Sequence, residues 1–171
     1  MNQADEVQFL RHTLATLAYR AGKALREYPE AGVERRLAPT MRTPLELVGH
    51  LADLMEWGES LAHGESRWNA GPASDWSSAC ARFFAGLAAF DRALAEADPR
   101  SRPPGQIFQG PIADALTHVG QLALLRGALG SSLRPESYAR AEIEVGRVGR
   151  EQAPAKFEFD GDASKPRPKS S

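Results

Sequence analysis

The sequence predicts an all-α fold, with a four-helix bundle over residues 1–130 and an irregular C-terminal extension over residues 131–171. Three observations support this prediction. Apolar residues recur three or four positions apart in four long segments, which is the period of helices that bury one face. Glycine and proline separate these segments. The chain end, "EQAPAKFEFDGDASKPRPKSS", is rich in Pro, Lys, Ser and Asp, a composition typical of irregular structure.

The first and third helices are predicted from their apolar stripes and from the residues that interrupt them. The first covers roughly residues 4–27, and "YPEAG" with its Pro29 breaks the pattern. The third follows "GPASD", where Ser74 or Asp75 can cap the helix, and it continues until Pro99. Both segments are long enough to span a bundle.

The second helix carries a clear start signal. Thr43 can act as the N-cap, Pro44 suits the first helical position, and Glu46 completes a capping box. We expect this helix to continue to about Ala62 and to stop at Gly64.

The fourth helix, predicted from Pro111 to Gly130, carries polar residues where apolar ones are expected. It is apolar on two faces, which predicts that it lies deep in the bundle. Asp114, His118 and Gln121 nevertheless interrupt its apolar surface. A buried carboxylate is costly unless its neighbours compensate for the lost hydration, so these residues indicate a site.

The second helix supplies a partner for this site. His50 falls on its apolar side, near Trp57, while Glu46 and Asp53 lie at the polar border. Asp114 and His118 are four residues apart, so they can bind one metal ion from the same helix face, with His50 as a third ligand from across the bundle. Two imidazoles and one carboxylate leave coordination positions open, which is the pattern of catalytic rather than structural metal sites.

The same residues have simpler interpretations. A histidine on an apolar face is more often a hydrogen-bonded core residue than a ligand, and an Asp and a His four apart can form a plain ion pair. The spacing by itself therefore leaves open a buried hydrogen-bond network in a purely structural protein.

Composition excludes several functions. The formal net charge is −1 with no strongly basic half, which argues against nucleic-acid binding. No run of about 18 apolar residues occurs, so we expect no membrane span, and the acidic N-terminus does not resemble a signal peptide. Cys80 is the only cysteine, so no intrachain disulfide can form. We expect a cytoplasmic protein.

Two stretches resemble the DinB/YfiT-like superfamily of bacterial four-helix bundles: "LELVGHLADLMEW" on the second helix and "IADALTHVGQLALLRGALG" on the fourth. The similarity covers most of residues 5–130. In that family a histidine of the second helix and two ligands four apart on the last helix bind a divalent metal. By position, His50 matches the first ligand and His118 the last, followed by the family's "GQ". Asp114 stands where the family usually has a histidine.

The resemblance implies a divalent metal ion as cofactor, with zinc or nickel expected first and iron or manganese also compatible with a donor set that includes Asp114. It also implies a homodimer. Family members with known activity include thiol-dependent transferases and isomerases and related metal-dependent enzymes. The segment after residue 131 is not a usual part of that family, and its Phe157 and Phe159 are expected to dock on the bundle or on a second subunit, with a mobile end after about residue 163.

Two functional hypotheses follow. In the first, the protein is a metal-dependent transferase or hydrolase acting on a small thiol or electrophile. Gln121 would orient a ligand or the substrate, Glu46 or Asp53 would fix the tautomer of His50, and Trp57 would line the pocket. In the second, the protein is a non-catalytic, stress-related module that binds a metal or a small ligand. Surface solvation for Glu46 and Asp53, and core packing for Trp57, are the simpler roles.

Overall fold

The computed structural model describes residues 3–71, 75–96 and 102–159, and within these ranges the regular structure is helical with no β-strand. The helices are α1 (Gln3–Leu25), α2 (Pro44–Ala62), α3 (Trp76–Glu96), α4 (Pro104–Ile107) and α5 (Ala113–Ala128), with a π-helical turn at Phe108–Ile112. Since α4 passes through the π turn into α5 without a break, the described residues form four long helices. The all-α prediction with four helices is confirmed.

The start of α2 follows the predicted capping chemistry. The Thr43 hydroxyl accepts from the backbone N–H of Glu46 at 3.1 Å, and the Glu46 carboxylate accepts from the N–H of Thr43 at 2.7 Å. The helix ends at Ala62, and Gly64 adopts a positive φ of 80° just beyond it. Local sequence therefore sets both ends of this helix.

The start of α3 is capped by Asp75. Its carboxylate accepts from the N–H of Ser78 at 2.8 Å. The other expected cap, Ser74, and the expected stop, Pro99, lie outside the described residues.

The predicted start of the fourth helix at Pro111 is wrong. The helix begins seven residues earlier at Pro104, and Pro111 lies inside the π turn. Proline lacks the N–H that an α-helix needs and its ring collides with the carbonyl four residues back, so the helix accommodates Pro111 by widening locally. The fourth helix is also buried on one side only, and not on two as predicted. Leu122 and Leu125 are buried, whereas Leu124 is 70% exposed.

α2 and α3 run in the same direction. Asp53 on α2 pairs with Arg82 on α3, and further along Gly58 packs against Phe90. Both contacts lie further toward the C-terminus on each helix in turn, so the two helices are parallel. The connection between these helices therefore returns along the bundle before α3 begins.

α1 runs opposite to α3. Arg11, near the start of α1, pairs with Asp91 near the end of α3 at 2.9 Å, while Tyr28, just past α1, contacts the ring of Trp76 at the start of α3. The core between the helices is filled by large, fully buried side chains: Leu14, Leu17, Leu51, Leu54, Met55, Phe83, Leu87, Phe90 and Leu122.

The described part of the extension packs on α1. Glu136 is buried and accepts hydrogen bonds from the Tyr19 hydroxyl at 2.6 Å and the Lys23 ammonium at 2.7 Å. Val148 and Ala153 are also buried. The expected mobile end after residue 163 lies outside the described residues.

The two phenylalanines of the extension differ in their surroundings. Phe157 packs under the guanidinium of Arg140, 4.2 Å from its ring centre, while Phe159 is 49% exposed. In the described ranges, none of the helices has both the length and the apolar character needed to cross a membrane.

Candidate metal centre

Three side chains from two helices meet at one point. His50 comes from α2, and Asp114 and His118 come from successive turns of α5. One donor atom from each lies within 4.8 Å of the other two. The three residues predicted from sequence as metal ligands are thus brought together, and they could hold a metal ion.

The separations between donor atoms fit a shared ion. His50 Nε2 lies 3.5 Å from Asp114 Oδ2, and His118 Nε2 lies 3.3 Å from Asp114 Oδ1. Direct charge-assisted hydrogen bonds are shorter, about 2.7 to 2.9 Å. Ligand atoms around a tetrahedral ion with bonds of about 2.1 Å are roughly 3.4 Å apart. These two distances end on different oxygens of Asp114, and one donor atom from each of the three residues lies within 4.8 Å of the other two, so the group could hold one ion.

Gln121 orients one of the histidines. Its Oε1 lies 2.7 Å from Nδ1 of His118, and because this oxygen can only accept, Nδ1 carries the proton in the neutral ring. The lone pair of Nε2 then faces the Asp114 carboxylate. A metal ion could be held between this nitrogen and the carboxylate, whose nearest atoms lie 3.3 Å apart.

His50 is kept neutral by its surroundings. Burial lowers the pKa of this imidazole, and the nearby guanidinium of Arg42 and the neighbouring His118 lower the pKa further, against the opposing influence of Asp114. A neutral imidazole is the form that coordinates a metal.

Asp114 opens the site to solvent, which corrects the expectation of a buried carboxylate. Its side chain is 47% exposed, whereas those of His50 and His118 are 17% and 12% exposed. The carboxylate lies at the start of α5, where the helix follows the π turn at the surface. The trio therefore has two nitrogen donors that are mostly shielded from solvent and one carboxylate on the side that faces solvent.

The π turn also fixes how α5 meets α2. Gly110 in this turn packs against Trp57 of α2, and a Cβ atom at Gly110 would come within 3.0 Å of the Trp57 ring. α5 then runs antiparallel to α2, which brings Asp114 and His118 opposite His50. π turns of this kind often occur at functional sites.

The two carboxylates considered as partners of His50 bind other groups. Glu46 serves the capping box and pairs with Arg36 at 2.6 Å. Asp53 is buried, pairs with Arg82 at 2.6 Å, and accepts from the N–H of Gly71 at 3.0 Å. Their positions assign these carboxylates to helix capping and to the α2–α3 contact.

Trp57 lies beside the centre and not at its donors. Its ring contacts that of Trp68 at 5.8 Å between centroids, and Trp68 in turn contacts His50 at 5.6 Å. Trp68 was missed in the sequence because it belongs to a loop without periodicity. Its position depends on tertiary contacts that no local pattern reveals.

A separate cleft of about 630 Å³ lies between the end of α1, the start of α3 and the extension, lined by residues that include Tyr28, Trp76 and Arg150. Cys80 is buried near Arg150, and burial raises the pKa of its thiol to about 11, so this cysteine is an inert core residue. We place the candidate site at the trio because metal binding requires converging donors rather than volume.

Searches for similar proteins found no matching family model, no matching curated protein and no matching solved structure.

Proposed function

We propose that this protein is a divalent-metal-dependent enzyme of the DinB-like superfamily, acting as a thiol-dependent transferase or as a hydrolase. The observation that carries the proposal is the convergence of His50, Asp114 and His118, with donor atoms 3.3 and 3.5 Å apart at a solvent-facing end of the bundle. The superfamily assignment rests on the sequence resemblance of α2 and α5, which also suggests a homodimer.

The donor set favours catalysis over a structural role. Three protein ligands leave positions for water or substrate, whereas structural zinc sites use four. A divalent ion held here would lower the pKa of a bound water or thiol and so supply a nucleophile near neutral pH. The exposed Asp114 carboxylate places the open side of the site toward solvent, where a substrate can enter.

Two features of the protein favour the metal-binding forms of the histidines in the absence of any ligand. Gln121 fixes the tautomer of His118, and burial keeps His50 uncharged. Two nitrogen donors and one oxygen donor, without sulfur, suit zinc or nickel and also admit iron or manganese.

The first experiment measures metal content and affinity. Freshly purified protein should contain about one first-row metal ion per chain by elemental analysis, and titration of the metal-free protein with Zn²⁺ and Ni²⁺ should give one site. His50→Ala and His118→Ala should each abolish this site, whereas His12→Ala, at an exposed histidine of α1, should leave it intact. Absence of metal in the purified protein together with no binding on addition would refute the proposal.

The second experiment tests turnover. The metal-loaded protein should react a low-molecular-weight thiol with an electrophile, or hydrolyse an activated ester or amide, and His118→Ala should remove that activity. A metal-loaded protein that turns over none of these compounds, but that loses stability or ligand affinity without its metal, would instead be the non-catalytic binding module.

A further inference from the structure

Four aromatic rings form a continuous row that leads away from the metal centre. The ring of His118 contacts that of His50 at 4.8 Å, His50 contacts Trp68 at 5.6 Å, and Trp68 contacts Trp57 at 5.8 Å between centroids. Trp68 is thus the first side chain beyond the imidazoles along this row. It is 47% exposed although it is a large apolar residue.

The loop that carries Trp68 is fastened to α2. The N–H of Arg67 donates to the Ser60 hydroxyl at 3.0 Å, and the N–H of Gly71 donates to Asp53 at 3.0 Å. These bonds hold the backbone on both sides of Trp68.

Two further contacts fasten the start of the same loop. The indole N–H of Trp57 donates to the hydroxyl of Ser66 at 3.3 Å. The guanidinium of Arg102 donates to the carbonyls of Gly64 and Glu65. A ring on a fastened loop loses less conformational entropy when a ligand packs on it than a ring on a loose one, which favours binding.

The ring contacts of Trp68 leave stacking surface unused. Its planes meet those of His50 at 61° and of Trp57 at 80°, so both are edge-on contacts rather than parallel stacks. Among the described residues, no ring lies stacked face to face on Trp68. A planar group of a ligand can therefore stack there and gain the energy of an offset aromatic pair.

We propose that Trp68, supported by Trp57, is the specificity subsite of the metal centre, and that it binds a planar unsaturated or aromatic group attached to the metal-binding head of the substrate. This inference rests on the proposed function. The 5.6 Å between the rings of Trp68 and His50 requires the planar group to follow the head directly or after one or two atoms. The substrate class is thus a small molecule in which a metal-binding thiol, carboxyl or hydroxamate-like head carries a flat apolar substituent.

The experiment compares two metal-binding probes on the zinc-loaded full chain. Benzohydroxamate and acetohydroxamate have the same head and differ in the ring, so the ratio of their dissociation constants, measured by calorimetry, reports the contribution of the subsite. We expect the wild type to bind benzohydroxamate about threefold to tenfold more tightly. Trp68→Ala should bring this ratio close to one, and Trp68→Phe should retain most of it.

Phe9→Ala provides the control, because Phe9 on α1 is a comparably exposed aromatic side chain, 55% accessible. This variant should keep the wild-type ratio. A wild-type ratio near one, an unchanged ratio in Trp68→Ala, or an equal fall in Phe9→Ala would overturn the subsite. Metal content is measured on the same samples: a protein that binds none of Zn²⁺, Ni²⁺, Fe²⁺ and Mn²⁺ overturns the proposed function and the subsite together, whereas a metal-loaded protein without ring preference overturns the subsite alone.

Discussion

The side-chain oxygen of Gln121 lies 2.7 Å from Nδ1 of His118, so the amide determines which nitrogen of this imidazole faces Asp114. The residue that interrupts the apolar surface of α5 one turn after His118 therefore positions one side chain of the candidate metal centre. Outer-shell partners of this kind typically change metal affinity by about 10-fold to 100-fold.

Gln121→Ala should weaken Zn²⁺ or Ni²⁺ binding by about tenfold, because the His118 ring loses the acceptor that fixes its tautomer. Gln121→Glu keeps an oxygen acceptor at this position and should bind at least as well as wild type. Competition titration with a chelator measures both affinities. Gln106→Ala, at an exposed glutamine of α4, serves as the control, and an equal loss in that variant would contradict the assigned role.

The stability of the metal-free protein should depend on pH through His50. Burial lowers the pKa of His50 in the folded chain, so the unfolded chain binds a proton more readily. The stability associated with the neutral ring is fully present above the unfolded pKa of about 6.5 and is lost as the pH falls below that value. Urea unfolding between about pH 7.5 and pH 5.5 should show a steeper fall for wild type than for His50→Gln.

His12→Gln, at an exposed histidine, should keep the wild-type pH dependence. Identical pH dependence in wild type and His50→Gln would show that burial does not favour the neutral form of His50.

Glu136→Ala should detach the extension from α1. The Glu136 carboxylate is buried and pairs with Tyr19 and Lys23, so its removal leaves a buried hydroxyl and ammonium without this partner. Lys23 keeps its ion pair with Glu158 at 2.8 Å, so the main loss is the buried hydrogen bond of Tyr19, which costs about 1 to 3 kcal/mol. The free energy of unfolding measures the loss, and limited proteolysis should cleave after residue 131 first.

Glu142→Ala is the matched control, because Glu142 forms an exposed ion pair with Lys156 at 2.6 Å. It should change stability little, since solvent screens exposed pairs. Comparable destabilisation by both variants would contradict the anchoring role of Glu136.

Gly58→Ala should destabilise the contact between α2 and α3. A Cβ atom at Gly58 would overlap three ring carbons of Phe90, and Phe90 is fully buried and cannot move aside. Overpacking of this kind costs about 1 to 3 kcal/mol.

Gly120→Ala is the opposite case. A Cβ atom there meets no atom within 4 Å, and replacing glycine inside a helix by alanine stabilises the helix by about 0.5 to 1 kcal/mol. Thermal unfolding should therefore move in opposite directions, and a stabilised Gly58→Ala would contradict the close packing.

Local chemistry explains what could be predicted from the sequence. The start of α2 depends on Thr43, Pro44 and Glu46, which lie next to one another in the chain, and it is confirmed. The candidate trio was predicted from helix geometry combined with a family resemblance, and its three side chains do lie together. His50, Asp114 and His118 lie together because α2 and α5 each present one face to the other.

Tertiary contacts explain what could not be predicted. Pro111 is typical of a helix start, yet the chain upstream was already helical and a π turn absorbed the proline. Asp53 pairs with Arg82, a residue of a different helix, which no spacing within α2 could reveal. Trp68 reaches the site through bonds between a loop and α2.

The shared direction of α2 and α3 has a consequence for how this architecture can diversify. Because the connecting segment returns along α2, it places Trp68 next to His50, and a change in its sequence acts on the candidate site without altering the three donors, which lie on α2 and α5. Residues 63–71 can therefore be exchanged to test the proposed subsite while the helix that carries His50 keeps its own sequence.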